Sequence, residues 1–189
     1  MINKIQNEIN EHLDAVRNLI KLCPEIEIAA KKCIYSLKND GKILIFGNGG
    51  SSADAQHIAA ELVSRYKTER EGLAAIALTT DTSILTAVGN DYGFDKIFSR
   101  QVEALASEGD VVIGISTGGT SLNVLNGFDQ AIKKKCDIIG FSGKGGGEFN
   151  EICNINLIAP SNDTPRIQEM HILIGHIICD LIEQSFTTN

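Results

Sequence analysis

The stretch KILIFGNGGSSADAQHIAAELVSR, residues 42–65, passes from an apolar run through a turn rich in glycine and serine into a segment that carries His57 and Glu61. KILIF is short, almost continuously apolar and bounded by turn residues. That is the pattern of a strand buried on both faces, as in a parallel sheet. From residue 52 to 66 the periodicity becomes helical. The same alternation returns down the chain. Apolar runs recur at LAAIAL (73–78), VVIGI (111–115), DIIGF (137–141) and INLIA (155–159). Helix-like segments separate them at 82–88 with 94–106 and at 121–134, and a long helix runs from Pro165 to about Ser185. Pro165 suits its first position and Thr164 can cap it. Five strands alternating with helices predict an α/β fold: a three-layer α/β/α sandwich on a parallel, flavodoxin-like sheet. Such sheets bind ligands outside the carboxyl ends of their strands.

Working outward, the residues before Lys42 stand apart from this alternation. Ile5, Ile9, Leu13, Val16 and Ile20 recur at helical spacing, Pro24 interrupts, and a second helix is expected from Glu25 to about Leu37, ending at Asn39-Asp40-Gly41. The chain therefore reads as a single domain, 1–189. Residues 1–40 form an N-terminal helical hairpin, expected to be an oligomer contact, and 41–189 form the α/β core. A length of 189 residues suits one domain, since domains average roughly 150 residues. Hydrophobic residues make up 43%, which supports a packed core.

The net charge of −7 disfavours nucleic acid and anionic membrane surfaces as partners. A small anion remains possible, because backbone N–H groups at a helix start can bind one without net positive charge. Five cysteines (Cys23, Cys33, Cys136, Cys153, Cys179) are scattered with no CxxC pair, the usage of reduced core residues. The N-terminus has no apolar signal core and no run approaches membrane-span length, so a cytoplasmic location is expected.

Two turns at equivalent strand ends invite a ligand. In FGNGGSS (46–52), Asn48, Gly49, Gly50 and Ser51 precede a helix start, whose free N–H groups suit a phosphate or sugar oxygens. The spacing is neither GxGxxG nor a P-loop, which argues against an NAD-type enzyme. The structural alternative is a turn capped by Ser51 or Ser52. In GISTGGTS (114–121), Ser116, Thr117, Thr120 and Ser121 supply hydroxyls around Gly118 and Gly119. One cap needs fewer hydroxyls than that.

His57 and Glu61, four apart, share a helical face. In TPRIQEMHILIGHIICD (164–180), Gln168 and His176 lie near two turns apart, with His171 as a further candidate. Imidazole and carboxylate are ordinary zinc ligands, an amide a less usual one. From spacing alone, structural histidines are the better explanation of the pattern. Asn90 and Asp91 in VGNDYGF (88–94) read as an Asx turn between helical segments. GKGGGEF (143–149) reads as a flexible turn with Lys144 solvated.

Taken together, GNGGSSADAQHIAAEL, TAVGNDYGF, GISTGGTSLNV and TPRIQEMH resemble the phosphoheptose isomerase family within the sugar isomerase (SIS) domain fold. The resemblance spans nearly the whole chain. It implies conversion of sedoheptulose 7-phosphate to D-glycero-D-manno-heptose 7-phosphate, on the way to ADP-heptose and the lipopolysaccharide core or capsule. It also implies a cytoplasmic homotetramer with active sites at subunit interfaces and zinc as cofactor. By the same resemblance His57, Glu61, Gln168 and His176 match metal positions, and Glu61 and His176 the acid/base pair. Asn48, Gly49, Gly50, Ser51, Asn90, Asp91 and Gln168 match substrate contacts, and Ser116, Thr117, Gly118 and Ser121 the phosphate loop. Two departures stand out. Gly118 lacks the hydroxyl many members carry there, and Pro165 replaces an acid found in some. TPRIQE also occurs in a non-catalytic relative, a replication-initiator-binding protein, which keeps a sugar-phosphate-binding regulator as the rival reading.

Overall fold

β1 (Ile43–Gly47), β2 (Ala75–Ala77), β3 (Val111–Ile115), β4 (Asp137–Ser142) and β5 (Ile155–Ile158) form one sheet in the order β2-β1-β3-β4-β5. All four pairings are parallel. The computed structural model describes residues 1–187. β1 and β3 are buried along their whole length, as their unbroken apolar runs require. β2 is an edge strand of only three residues, shorter than the apolar run that announced it, and Ile76 on its outer face is exposed.

The helices are α1 (Ile2–Leu19), α2 (Cys23–Lys38), α3 (Gly50–Val63), α4 (Thr82–Asp91), α5 (Ser99–Leu105), α6 (Leu122–Lys133), α7 (Phe149–Ile152) and α8 (Thr164–Thr187). Side chains alternate across the sheet and so build two cores. Ile43 and Ile45 face α2, α3 and α8, packing with Cys33, Ile58, Leu62, Met170 and Ile174. Leu44 and Phe46 face α5, α6 and α7, packing with Phe98, Val102, Phe128 and Phe149.

Several element ends differ from expectation. α3 begins at Gly50 with Gly49 (φ 58°) at its cap, so neither Ser51 nor Ser52 caps it. Thr164 is the first residue of α8 rather than its cap. α4 continues through Asp91, so Asn90 and Asp91 form its last turn instead of following it. A short 3₁₀ segment, Ile20–Leu22, separates α1 from α2, and Pro24 sits at the start of α2, where its missing N–H costs nothing.

α1 is tied to α8 by polar contacts. His12 Nδ1 lies 2.7 Å from Glu169 Oε2, and Arg166 Nη1 donates to Glu8 Oε2 at 2.9 Å. The first part of its apolar stripe does not pack on the domain: Ile2, Ile5, Ile9 and Leu13 are exposed, whereas Val16 packs against the core beside buried Ala15 and Leu19. Cys33, Cys136 and Cys179 are buried and Cys23 exposed, all as free thiols. Burial raises the Cys33, Cys153 and Cys179 thiols to about 12, which keeps them protonated. No helix among the described residues is long and apolar enough to cross a membrane.

Candidate active site

β1 and β3 are neighbours, yet the chain leaves them toward opposite edges of the sheet. The turns that follow them therefore part and leave a crevice at the carboxyl end, where open α/β sheets bind ligands. A cavity of about 130 Å³ lies there, lined by Asn48, Ser51, Ile115, Ser116, Thr117, Ser121 and Gln168. Asn48 and Asn123 bind the first turn to the start of α6 by reciprocal amide hydrogen bonds, 2.8 Å each. Ser121 occupies the cap position of α6 but makes no side-chain capping bond. Its hydroxyl instead lies 2.9 Å from that of buried Ser116. These hydroxyls line the cavity and do not cap the helix end.

A second glycine turn holds this one in shape. Gly119 has φ +64°, and a Cβ on it would stand 2.0 Å from the carbonyl oxygen of Gly146. Gly146 is buried and Lys144 exposed, so the GKGGG segment is partly a backing for the hydroxyl turn. Gly118 is different: a Cβ there would meet only Thr120 Oγ1 at 3.4 Å, ordinary contact. A serine would fit, so space does not dictate the missing hydroxyl.

α3 and α8 bring the second half of the site together. His57 Nε2 lies 3.0 Å from Glu61 Oε1 and 3.2 Å from His176 Nε2. The donor atoms of His57, Glu61 and His176 all lie within 4.8 Å of one another. Two imidazole nitrogens at that separation need a proton or a cation between them, and the carboxylate beside them favours either. His57 is about half exposed, at 48%, and Glu61 less so, at 24%. The helices approach closely because glycines face side chains across the seam. Gly50 abuts the Gln168 amide and Gly175 abuts Ile58, each leaving no room for a Cβ. Asp54, one turn before His57, has an Oδ2 that is buried without a partner. Burial raises its carboxyl to about 6, against the pull of His57.

The structure thus gathers Asn48, Ser51, Ser116, Thr117, Ser121 and Gln168 around one cavity, and His57, Glu61 and His176 around one point. Gly49 lines an adjoining cavity of about 160 Å³ with Asn48, Ser52, Thr79, Leu85 and Phe94. Gln168 stands with the hydroxyl turn, two turns before His176. Asn90 and Asp91 are exposed at the end of α4, with the Asn90 amide donating to Asp91 at 2.8 Å. His171 points into the core: its Nε2 lies 2.9 Å from the Ser142 carbonyl oxygen. Burial drives its pKa down to about 4, so it stays neutral and apart from the cluster.

Sequence reasoning did not single out two residues that the site contains. Asn123 lies within the quoted GISTGGTSLNV motif, but only the fold shows it facing Asn48. The Tyr66 ring lies tilted beside that of His176, with centroids 5.7 Å apart, and nothing in its local sequence signals that.

Residues 6–143 match the model of the SIS domain family. The chain is 60% identical to the phosphoheptose isomerase of Helicobacter hepaticus over 185 residues, covering 98% of this chain and 94% of that protein. It superposes on the structure of the phosphoheptose isomerase of Neisseria gonorrhoeae with a TM-score of 0.91 at 44% identity, covering 96% of this chain and 98% of that one. With the phosphoheptose isomerase of Francisella tularensis the TM-score is 0.94 at 39% identity, over 97% and 98% of the two chains.

Proposed function

Because the chain belongs to the phosphoheptose isomerase family of SIS domains, we propose that its two site halves act on one long sugar phosphate, the hydroxyl turn holding the phosphate and the His57–Glu61–His176 cluster the reacting carbons. The reaction is the interconversion of sedoheptulose 7-phosphate and D-glycero-D-manno-heptose 7-phosphate, supplying ADP-heptose for lipopolysaccharide core or capsule. The observation that carries this reading is the convergence of those three side chains beside the hydroxyl-lined cavity. Gly50 and His57, which mark the two halves, are separated by roughly 10 Å along α3 at about 1.5 Å per residue. That span suits a seven-carbon chain with a terminal phosphate.

An aldose–ketose isomerase moves a proton between adjacent carbons through an enediol and shifts protons between the flanking oxygens. Glu61 removes the carbon-bound proton and returns it to the neighbouring carbon. His176 gives and takes the oxygen-bound protons, and Tyr66 steadies its ring. Ser116, Thr117 and Ser121, with the N–H groups at the start of α6, fix the phosphate. Asn48 and Gln168 orient the chain between, alongside Gly49, Gly50, Ser51 and Gly118, with Asn90 and Asp91 as outer contacts. Fixing the remote phosphate brings the reacting carbons to the cluster, so its binding energy contributes to kcat/KM.

Zinc is the proposed cofactor, held by His57, Glu61 and His176. Two imidazole nitrogens and a carboxylate oxygen within 4.8 Å of one another fit its usual donor set. When bound, zinc polarises the sugar carbonyl and stabilises negative charge on its oxygen. The place of Gln168 beside Gly50 supports a substrate contact more directly than a fourth ligand.

The oligomer expected from the resemblance also belongs to this proposal. The exposed stripe Ile2, Ile5, Ile9 and Leu13 supports a homotetramer, and the half-exposed His57 supports a site completed at a subunit interface. A cytoplasmic location is proposed with it.

One assay tests the core of the reading. Purified protein is incubated with sedoheptulose 7-phosphate, with added zinc and separately with a chelator, and the heptose aldose is measured. Product with zinc and its loss with chelator are expected. No product in either condition would leave a sugar-phosphate-binding regulator as the better account.

A further inference from the structure

Away from the reacting atoms lies a buried ion pair that the proposed chemistry does not use. Arg70 and Glu183 have side chains only 4% and 3% exposed, with Arg70 Nε 3.5 Å from Glu183 Oε2. Burying two charges is costly unless each is well satisfied, so their remaining partners are informative.

Arg70 closes the end of α3. Its Nη2 donates to the Glu61 carbonyl oxygen at 2.8 Å, and its Nη1 to those of Leu62 and Glu71 at 2.9 Å each. The carbonyls at a helix C-terminus lack intrahelical donors. Here a guanidinium fork supplies two of them, one belonging to the proposed base itself. Glu183 gathers the chain that follows. Its Oε2 accepts from Tyr66 N at 2.9 Å, and its Oε1 from Lys67 N at 2.7 Å and Thr68 N at 2.8 Å. Burial alone would raise its pKa, but those three N–H groups and Arg70 outweigh it, and the carboxyl is held below its usual range. Glu183 also lies two turns beyond His176 on α8, on the same face. The ring of Tyr66, the first residue it anchors, lies tilted beside the His176 ring.

We infer that Arg70 and Glu183 act as positioning residues for catalysis, locking the end of α3 to α8 so that Glu61, His176 and Tyr66 keep one relative placement. Neither touches the substrate site. The inference rests on the assignment of Glu61 and His176 to the proton transfers. A fork to backbone carbonyls is not replaced by a lysine, which carries the charge but not the geometry.

The test compares Arg70→Lys, Glu183→Gln and Tyr66→Leu with the parent protein. Turnover is measured per folded, zinc-loaded molecule. The ring-proton resonance of His176 is followed by NMR in chelator-treated protein, identified by its absence in His176→Gln. Small displacements of catalytic groups can cost up to about a hundredfold in rate. Arg70→Lys and Glu183→Gln are expected to lower kcat by roughly 10- to 100-fold with KM changed by less than about twofold. Both should move the His176 resonance toward its position in Tyr66→Leu, where the neighbouring ring is gone. Normal kcat and an unmoved resonance in folded variants would overturn the inference. So would a kcat loss that vanishes on correction for the folded fraction. Should Glu183→Gln not fold, Arg70→Lys alone decides by the same two readings. Full activity in Glu61→Gln would instead sink the catalytic assignment, and the resonance would still report on positioning by itself.

Discussion

The hydroxyl turn after β3 and the imidazole–carboxylate cluster between α3 and α8 make an instructive pair. The first is almost wholly local. Ser116, Thr117 and Ser121 lie within six consecutive residues, and the parallel register of β1 with β3 puts Asn48 opposite them. The second joins residues 119 apart in sequence and depends on how two helices meet. A strand-end turn keeps its shape as long as its sheet and the glycine turn that backs it exist. A cluster built across a helix seam keeps its shape only while the seam is tight. Anchoring and chemistry should therefore fail independently.

The largest expected break falls on the chemical half alone. Glu61→Gln should lower kcat by about 10²- to 10⁴-fold, the usual contribution of a positioned general base, with phosphate-dependent binding retained. Steady-state kinetics alongside a direct binding measurement would check both halves. Full turnover in a folded Glu61→Gln protein would remove the residue from the mechanism.

Acid should act next, through the docking of α8 on β4. His171 is buried and neutral, with its pKa lowered from 6.5 to about 4. Between those values the unfolded chain binds a proton that the native protein refuses. This contribution is therefore complete above pH 6.5 and is lost as pH falls toward 4, on the order of 3 kcal/mol in all. Asp54, raised to about 6, works in the opposite direction over the same window, so the wild-type curve alone is ambiguous. Denaturant unfolding of wild type and His171→Gln at pH 7 and pH 4 isolates the histidine. The wild type should lose more stability on acidification than the variant does.

A third change strikes the seam and spares the turn. Gly175→Val places atoms where Ile58 already stands, with even a Cβ only 2.6 Å from Ile58 Cδ1. Overpacking of this kind costs about 1–3 kcal/mol. Zinc affinity should weaken as the helices part, while the affinity for inorganic phosphate stays the same. Calorimetry with each ligand separates the two.

The smallest effect is expected from the turn itself. Ser121→Ala removes one hydroxyl from the proposed phosphate cradle and leaves Ser116 without its partner. Hydrogen bonds to charged groups contribute about 1.5–3 kcal/mol. KM should rise roughly tenfold at the lower end of that range, with kcat little changed. A large drop in kcat instead would mean that anchoring and chemistry are coupled after all.

The same contrast explains what could be read from the sequence. The strands were legible because apolar runs such as VVIGI are set by burial on both faces, and β3 is buried along its whole length. The turns were legible because glycine and hydroxyl residues cluster locally. Helix ends were read less well. Gly49 at φ 58° starts α3 earlier than a serine cap would, and VGND looks like a turn yet completes α4. The direction of the α1 stripe was not legible either, since periodicity says that a face is apolar but not what covers it. For the cluster, spacing showed only that His57 and Glu61 share a face. That His176 rather than His171 joins them depends on the rotation of α8, which packing decides. Arg70 and Glu183 gave no signal, because a pair that meets only in three dimensions has no local pattern.

The backing of one glycine turn by another has a consequence for how this site can change. Gly119 lacks room for a side chain because of Gly146, and Gly147 is crowded in turn by the carbonyl oxygen of Gly118. Two segments of the chain are thus bound into one mutational unit at these positions. Neither Gly119 nor Gly147 can drift alone toward a bulkier residue, and any redesign that fills either position must rebuild both segments together.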